Sequence, residues 1–223
     1  MMKSDVEIVT GFIGSGKTTF INALLEDTLV KGERVVILQF ESGETEIEKD
    51  LQNDERVTLL DVNYEELIEN NFSAILQRSN PHRIIIEFNG TKEIQKLLDL
   101  IHSKHLKSHC KLTTTYYLSE GATFHMYLNN MGRFLLPCVE ISNLIILNNT
   151  EDISKDILKS IEKTLNQQNR FIPILEVKEH SDMKQVLKDS NLFHKGFLKK
   201  CDLLLKDFLN SPQTYQKEKN SGK

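Results

Sequence analysis

The chain has 223 residues, a length that suits one α/β domain with a sizeable core better than two domains. Hydrophobic residues make up 39% and charged residues 27%, with no tryptophan, and a net charge of −4 gives no electrostatic basis for a nucleic-acid partner. No apolar run approaches a membrane span, and the three cysteines (Cys110, Cys138, Cys201) are too far apart for a disulfide framework or a close-spaced zinc motif. The N-terminal segment leads straight into a strand without the pattern of a signal peptide, so the expected compartment is the cytoplasm.

Strand-like and helix-like runs alternate along the chain. Residues 6–10 read as a strand and 18–30 as a helix, with Phe20, Ile21, Leu24 and Leu25 on one face. Residues 34–40 (RVVILQF) form a buried-type strand introduced by Gly32, residues 56–60 a short strand and 65–77 a helix. RIIIEF at 83–88 is the clearest buried strand, followed by a helix over 92–108. Strands at 111–118 and 143–147, a helix at 153–166 and a strand at 171–177 complete the alternation. Two amphipathic helices close the chain, the second over 195–210 with Phe197, Cys201, Leu204 and Phe208 on one stripe, before a polar, disordered tail. This order predicts an α/β fold with a mostly parallel central sheet and helices on both faces. The expected organisation is a phosphate-loop domain over 1–178, a helical extension of it over 179–211 and a tail over 212–223.

Gly11-Phe12-Ile13-Gly14-Ser15-Gly16-Lys17-Thr18 satisfies the pattern G-x-x-x-x-G-K-[ST], between a predicted strand and a predicted helix. Glycines at these positions let successive backbone N–H groups converge on phosphate oxygens at a helix N-terminus. Lys17 is expected to reach the β- and γ-phosphates, and the Thr18 hydroxyl to ligate Mg²⁺. The expected nucleotide contacts in this stretch are Gly11, Gly14, Ser15, Gly16, Lys17, Thr18 and Thr19.

The local spelling TGFIGSGKTTFINALL closely resembles the CobW branch of the CobW/HypB/UreG family of P-loop GTPases, over residues 5 to about 178. The resemblance implies a P-loop NTPase fold, GTP and Mg²⁺ as ligands, and slow hydrolysis serving metal or metallocofactor delivery to a client protein. The family's N-E-F-G-E segment corresponds to Phe40-Glu41-Ser42-Gly43-Glu44, which keeps both glutamates and the glycine. Glu44 is thereby a candidate Mg²⁺ or water ligand. The family's Walker B strand ends E-x-x-G, here Glu87 and Gly90, and a carboxylate at that strand end is placed to hold Mg²⁺ or orient attacking water. Lys17, Glu87 and Glu44 are thus the candidate catalytic groups, and Thr18, Glu87 and Glu44 the candidate Mg²⁺ ligands. The guanine-reading N-K-x-D is degenerate in LIILNNTEDIS. One register gives Asn148-Asn149-Thr150-Glu151 and a one-residue shift gives Asn149-Thr150-Glu151-Asp152. In either, a carboxylate can accept the donor pair that guanine has and adenine lacks.

Two features depart from the branch. Residues 51–83 contain none of its C-x-C-C cysteines, the corresponding segment being LLDVNYEEL, and only about 45 residues follow the last strand, too few for its usual second domain. A different set of soft-metal donors lies in LIHSKHLKSHCKL. There His102, His105 and His109 lie within one side of a helix, with Cys110 next and His105 near the centre of the apolar stripe of Ile94, Leu98 and Ile101. A helix with one partly buried histidine accounts for the same pattern. Besides a GTPase, the sequence admits a nucleotide-binding regulator without hydrolysis. It also admits a small-molecule kinase, against which the singly scattered arginines argue. The last helix is suited equally to covering the core and to a homodimer or client face.

Overall fold

The computed structural model describes residues 3–40, 45–64, 69–170, 172–190 and 192. Strands and helices alternate through it as β1 (Ser4–Gly11), α1 (Lys17–Thr28), β2 (Val35–Gln39), α2 (Lys49–Gln52), β3 (Val57–Asp61), α3 (Glu69–Ser79), β4 (Arg83–Asn89), α4 (Ile94–Ile101), β5 (Cys110–Glu120), α5 (Phe124–Glu140), β6 (Leu144–Asn148), α6 (Lys155–Gln168), β7 (Ile174–Glu176) and α7 (Met183–Asp189). The seven strands form one sheet in the order β3-β2-β4-β1-β5-β6-β7. Every strand pair is parallel. Parallel neighbours need long crossovers, and the helices supply them. The sheet is therefore covered on both faces, which is why every residue of β4 is buried.

Side-chain alternation sorts the strand residues between two cores. Val6, Ile8, Ile84, Ile86 and Phe88 pack with Phe72 of α3, Leu97 of α4, Leu135 of α5 and Ile161 of α6. Val9, Val35, Ile37, Ile85 and Ile146 pack with Phe20 and Leu24 of α1, Leu51 of α2 and Met183 of α7. On the α1 face the same alternation continues to the carboxyl ends of the strands. There it delivers Gln39, Glu87 and Asn148, the last residues or nearly so of β2, β4 and β6.

At the opposite, amino-terminal edge lies a buried polar network. The Arg83 guanidinium donates to Glu7 Oε2 at 2.7 Å and to Thr28 Oγ1 at 2.8 Å, and the Tyr116 hydroxyl donates to Glu7 Oε2 at 3.3 Å. Burial opposes the Arg83 charge, but the Glu7 carboxylate beside it outweighs burial and holds the pKa above its ordinary value. The network ties β4, β1, α1 and β5 together at the end remote from the phosphate loop.

Two expected elements differ, and one helix is unexpected. The helix expected over 92–108 ends at Ile101; the chain turns, and a 3₁₀ turn (Leu106–Ser108) returns Leu106 to the core. The strand expected over 171–177 is reduced to Ile174–Glu176. Helix α5 carries no clear sequence signal, since Gly132 and Pro137 interrupt its pattern and Met131 (φ −129°) kinks it. The helix expected over 195–210 lies outside the described residues.

Candidate phosphate-binding site

The loop between β1 and α1 leaves the sheet at its centre, where β1 is flanked by β4 and β5 and successive crossovers diverge to either side. Ligands of open α/β sheets bind outside the strand carboxyl ends at such a point. Gly14 (φ 78°) and Gly16 (φ 92°) adopt left-handed conformations at the start of α1, the backbone geometry from which anion-binding nests are built. A side chain at Gly16 is excluded twice over, because a Cβ there would lie 2.5 Å from Asn148 Nδ2. Gly90 is required by close approach instead. Its N–H donates to Gly11 O at 2.9 Å, and a Cβ would fall 2.8 Å from the Gly11 carbonyl carbon. The end of β4 is thereby fastened to the first residue of the loop.

Lys17 and Thr18, the first residues of α1, are both buried. Lys17 Nζ arches back over the loop and donates to Phe12 O at 3.1 Å. The Thr18 hydroxyl donates to Glu87 Oε1 at 2.8 Å, and Gln39 Nε2 donates to Glu87 Oε2 at 2.7 Å. Glu87 is 6% exposed, and no cationic side chain pairs with it among the described residues. Neutral donors orient a buried carboxylate without supplying a counter-charge, so its oxygens are not committed to a protein cation. Its oxygens, with Thr18 Oγ1, are the hard donors that Mg²⁺ selects, so the residues present fit that ion. The Ser15 hydroxyl is buried without a hydrogen-bond partner inside the loop. Thr19 follows as a half-buried residue of α1.

The far wall is built from the ends of β6 and β7. Asn148 is fully buried, and its Nδ2 donates to Ser15 O at 3.3 Å and pairs with His180 Nδ1 at 2.8 Å. Asn148 Oδ1 accepts from the Asn149 N–H at 3.0 Å. Asn149 itself has φ 53° and turns away, its Nδ2 donating to Glu120 Oε1 at 3.3 Å. Glu151 and Asp152 are exposed in the loop beyond. A hydrogen bond with Glu179, reinforced by the repulsion between the two carboxylates, raises the Glu151 pKa. Of the two registers weighed from sequence, only the ungapped one puts its leading asparagine, Asn148, against the phosphate loop. His180, in the loop after β7, was not singled out by the sequence. A lone histidine after a short strand carries no motif, and only the sheet order brings it to Gly16.

The histidine stripe is corrected by the structure. Because α4 stops at Ile101, His102 caps the helix, His105 is exposed and Leu106 takes the core position expected for His105. His109 Nδ1 is engaged by Ser108 Oγ at 2.9 Å and His105 O at 3.0 Å. Among the described residues no group of three histidine, cysteine or acidic side chains is arranged to hold a metal ion. Burial pushes the Cys110 and Cys138 thiols up to about 11, so neither is a ready thiolate ligand. Glu44 and its neighbours 41–43 lie outside the described residues.

A parallel α/β sheet, a glycine loop opening a central helix and a buried acid on the adjacent strand define a P-loop NTPase domain. The chain belongs to the CobW/HypB/UreG family, whose nucleotide-binding domain model matches residues 5–176. It is 26% identical over 196 residues to Zinc-regulated GTPase metalloprotein activator 1 of Schizosaccharomyces pombe, covering 77% of this chain and 45% of that protein. The Zn(II)-bound YjiA GTPase from E. coli has the same fold, with a TM-score of 0.59 and 19% identity over 78% of this chain and 57% of that one. The hydrogenase maturation factor HypB from Archaeoglobus fulgidus superposes with a TM-score of 0.50 and 13% identity over 84% of this chain and 90% of that one. The chain thus spans less than half of the fission-yeast relative. Among the described residues no helix is long and apolar enough to cross a membrane.

Proposed function

We propose that this chain is a Mg²⁺-dependent GTP-binding protein that hydrolyses GTP slowly and, through that cycle, assists metal or metallocofactor delivery to a client protein in the cytoplasm. The observation that carries the nucleotide part is the Thr18–Glu87 pair at the mouth of the glycine loop, a buried hard-oxygen donor set with which no cationic side chain pairs among the described residues. Thr18, Glu87 and the 41–44 segment with Glu44 would hold Mg²⁺, which when bound neutralises charge on the β- and γ-phosphates. The loop amides and Lys17 bind the phosphates and stabilise charge developing on the γ-phosphoryl oxygens. Glu87 orients a water molecule that attacks the γ-phosphorus as the β–γ bridging P–O bond breaks, giving GDP and phosphate. Asn148, Asn149, Glu151 and Asp152 form the base side, and a carboxylate there favours guanine.

The delivery role rests on family membership and on the names of the relatives, a metalloprotein activator and a hydrogenase maturation factor. The domain assignment proposed is 1–178 for the nucleotide-binding unit and 179–211 for a helical extension, followed by the tail. The burial of Met183 and Leu187 of α7 in the α1-side core supports the extension. A homodimer is the assembly we propose for the cycle.

The test is equilibrium binding of GTP and ATP with Mg²⁺, followed by single-turnover hydrolysis. Tighter GTP binding and turnover abolished by both Lys17→Ala and Glu87→Gln are expected. An ATP preference overturns the base assignment. Tight GTP binding without turnover identifies instead a regulator that does not hydrolyse, a reading favoured by the turning away of Asn149 from the loop.

A further inference from the structure

The strand register places Gln39 and Glu87 as lateral partners on adjacent parallel strands, β2 and β4. Both side chains fall on the α1 face, so their contact follows from the pleat rather than from a chance rotamer. Gln39 Nε2 donates to Glu87 Oε2 at 2.7 Å while Thr18 Oγ1 donates to Oε1 at 2.8 Å. The carboxylate is thus held at both oxygens, one from the helix that carries the phosphate loop and one from the strand that leads into residues 41–44. Gln39 belongs to no motif and was not among the candidate residues.

The chemistry of a primary amide suits this place. An amide donor fixes the orientation of a carboxylate and leaves its charge intact. A lysine or arginine at the same position would neutralise Glu87 and compete with a divalent cation, and a second carboxylate would repel it. An apolar residue would leave Oε2 buried without a donor, beside β2. Outer groups that orient a metal-binding carboxylate are worth about ten- to a hundredfold in metal affinity or activity.

We propose that Gln39 is the positioning residue of the cation site. Its amide holds Glu87 in the orientation that serves a divalent cation at Thr18. The inference rests on the reading of the site as a Mg-nucleotide site and adds to it a residue that touches neither the nucleotide nor the ion.

The test is a Mg²⁺ titration of the full chain in complex with a fluorescent GTP analogue, together with the affinity of the analogue in EDTA and steady-state hydrolysis. Gln39→Met keeps the length of the side chain and removes the donor, and Gln39→Lys introduces a charge. Gln39→Met is expected to weaken the apparent Mg²⁺ affinity about ten- to a hundredfold and to lower kcat with KM for GTP little changed. Its metal-free nucleotide affinity should match the wild type, while its melting temperature falls by a few degrees because Glu87 Oε2 is left without that donor. Gln39→Lys is expected to lose the dependence of nucleotide affinity on Mg²⁺. Wild-type Mg²⁺ affinity in Gln39→Met overturns the proposal. So does an equal loss of metal-free and Mg²⁺-dependent binding, which would mark a merely structural residue. If the wild type itself binds nucleotide with no dependence on Mg²⁺, the reading of the site falls first and the role of Gln39 with it.

Discussion

Individual side chains at this site do separable work. Asn148 is engaged at both ends: its amide nitrogen bridges the phosphate loop and His180, while its carbonyl holds the Asn149 N–H. Asn148→Ala deletes three hydrogen bonds at a fully buried position, and a loss of about 2–3 kcal/mol in urea unfolding is expected. Asp54 behaves differently. A hydrogen bond from the Arg56 side chain, seconded by the Arg56 backbone N–H, lowers its pKa from 3.8 to about 2. The folded-state value is the depressed one, so the pair stabilises the fold above the usual carboxylate range and loses that contribution as the pH falls toward 2. Both groups face solvent in part, which limits the effect to about 1 kcal/mol or less. Asp54→Asn should lower stability at pH 7 by that amount and leave it unchanged near pH 2, as read by thermal melts across the range. At this scale the motifs single out Lys17, Thr18 and Glu87 because their spacing is fixed, and the fold brings these three side chains to the phosphate loop. It missed Gln39 and His180, because each acquires its role from a strand neighbour distant in the chain.

Among the elements, the junction of β1 and β4 governs the phosphate loop. Gly90 lies against the backbone of Gly11, and no rotamer change can relieve a contact between a Cβ and a carbonyl carbon. Gly90→Ala is expected to push the strand ends apart and abolish nucleotide binding in equilibrium dialysis, while far-UV circular dichroism retains the native content. Elements with continuous apolar runs, β2 and β4 above all, could be read directly from sequence, since burial on both faces leaves them no polar register. Helix α4 was overextended because His105 and Leu106 continue a plausible apolar stripe. The chain instead turns after Ile101 and brings Leu106 back through a 3₁₀ turn, which dissolves the histidine alignment. Helix α5 was invisible because its proline and glycine read as breakers, although its buried Leu135, Cys138 and Val139 anchor it under the sheet.

At the scale of the whole molecule, two cores share one sheet, and each should resist cavities. Phe20 of α1 and Phe72 of α3 are fully buried on opposite faces. Phe72→Ala is expected to cost about 3–5 kcal/mol, measurable as a lower urea midpoint, and to spare nucleotide affinity in the surviving folded fraction. The same loss at Phe20 should also weaken binding, because α1 presents Lys17 and Thr18. Alternation alone predicted this two-faced architecture.

The central place of β1 also sets a timetable for folding. Its partners are residues 83–89 on one side and 110–118 on the other. Contacts so distant in sequence close slowly. During synthesis the phosphate loop emerges before either of the strands that flank β1, and β1 is flanked on both sides only after β5 has left the ribosome. Asn148 braces the loop later still. A nascent chain therefore carries its most recognisable motif with nothing to hold it in shape until Leu118 has been made, and nucleotide can begin to protect the fold only once that interval has passed.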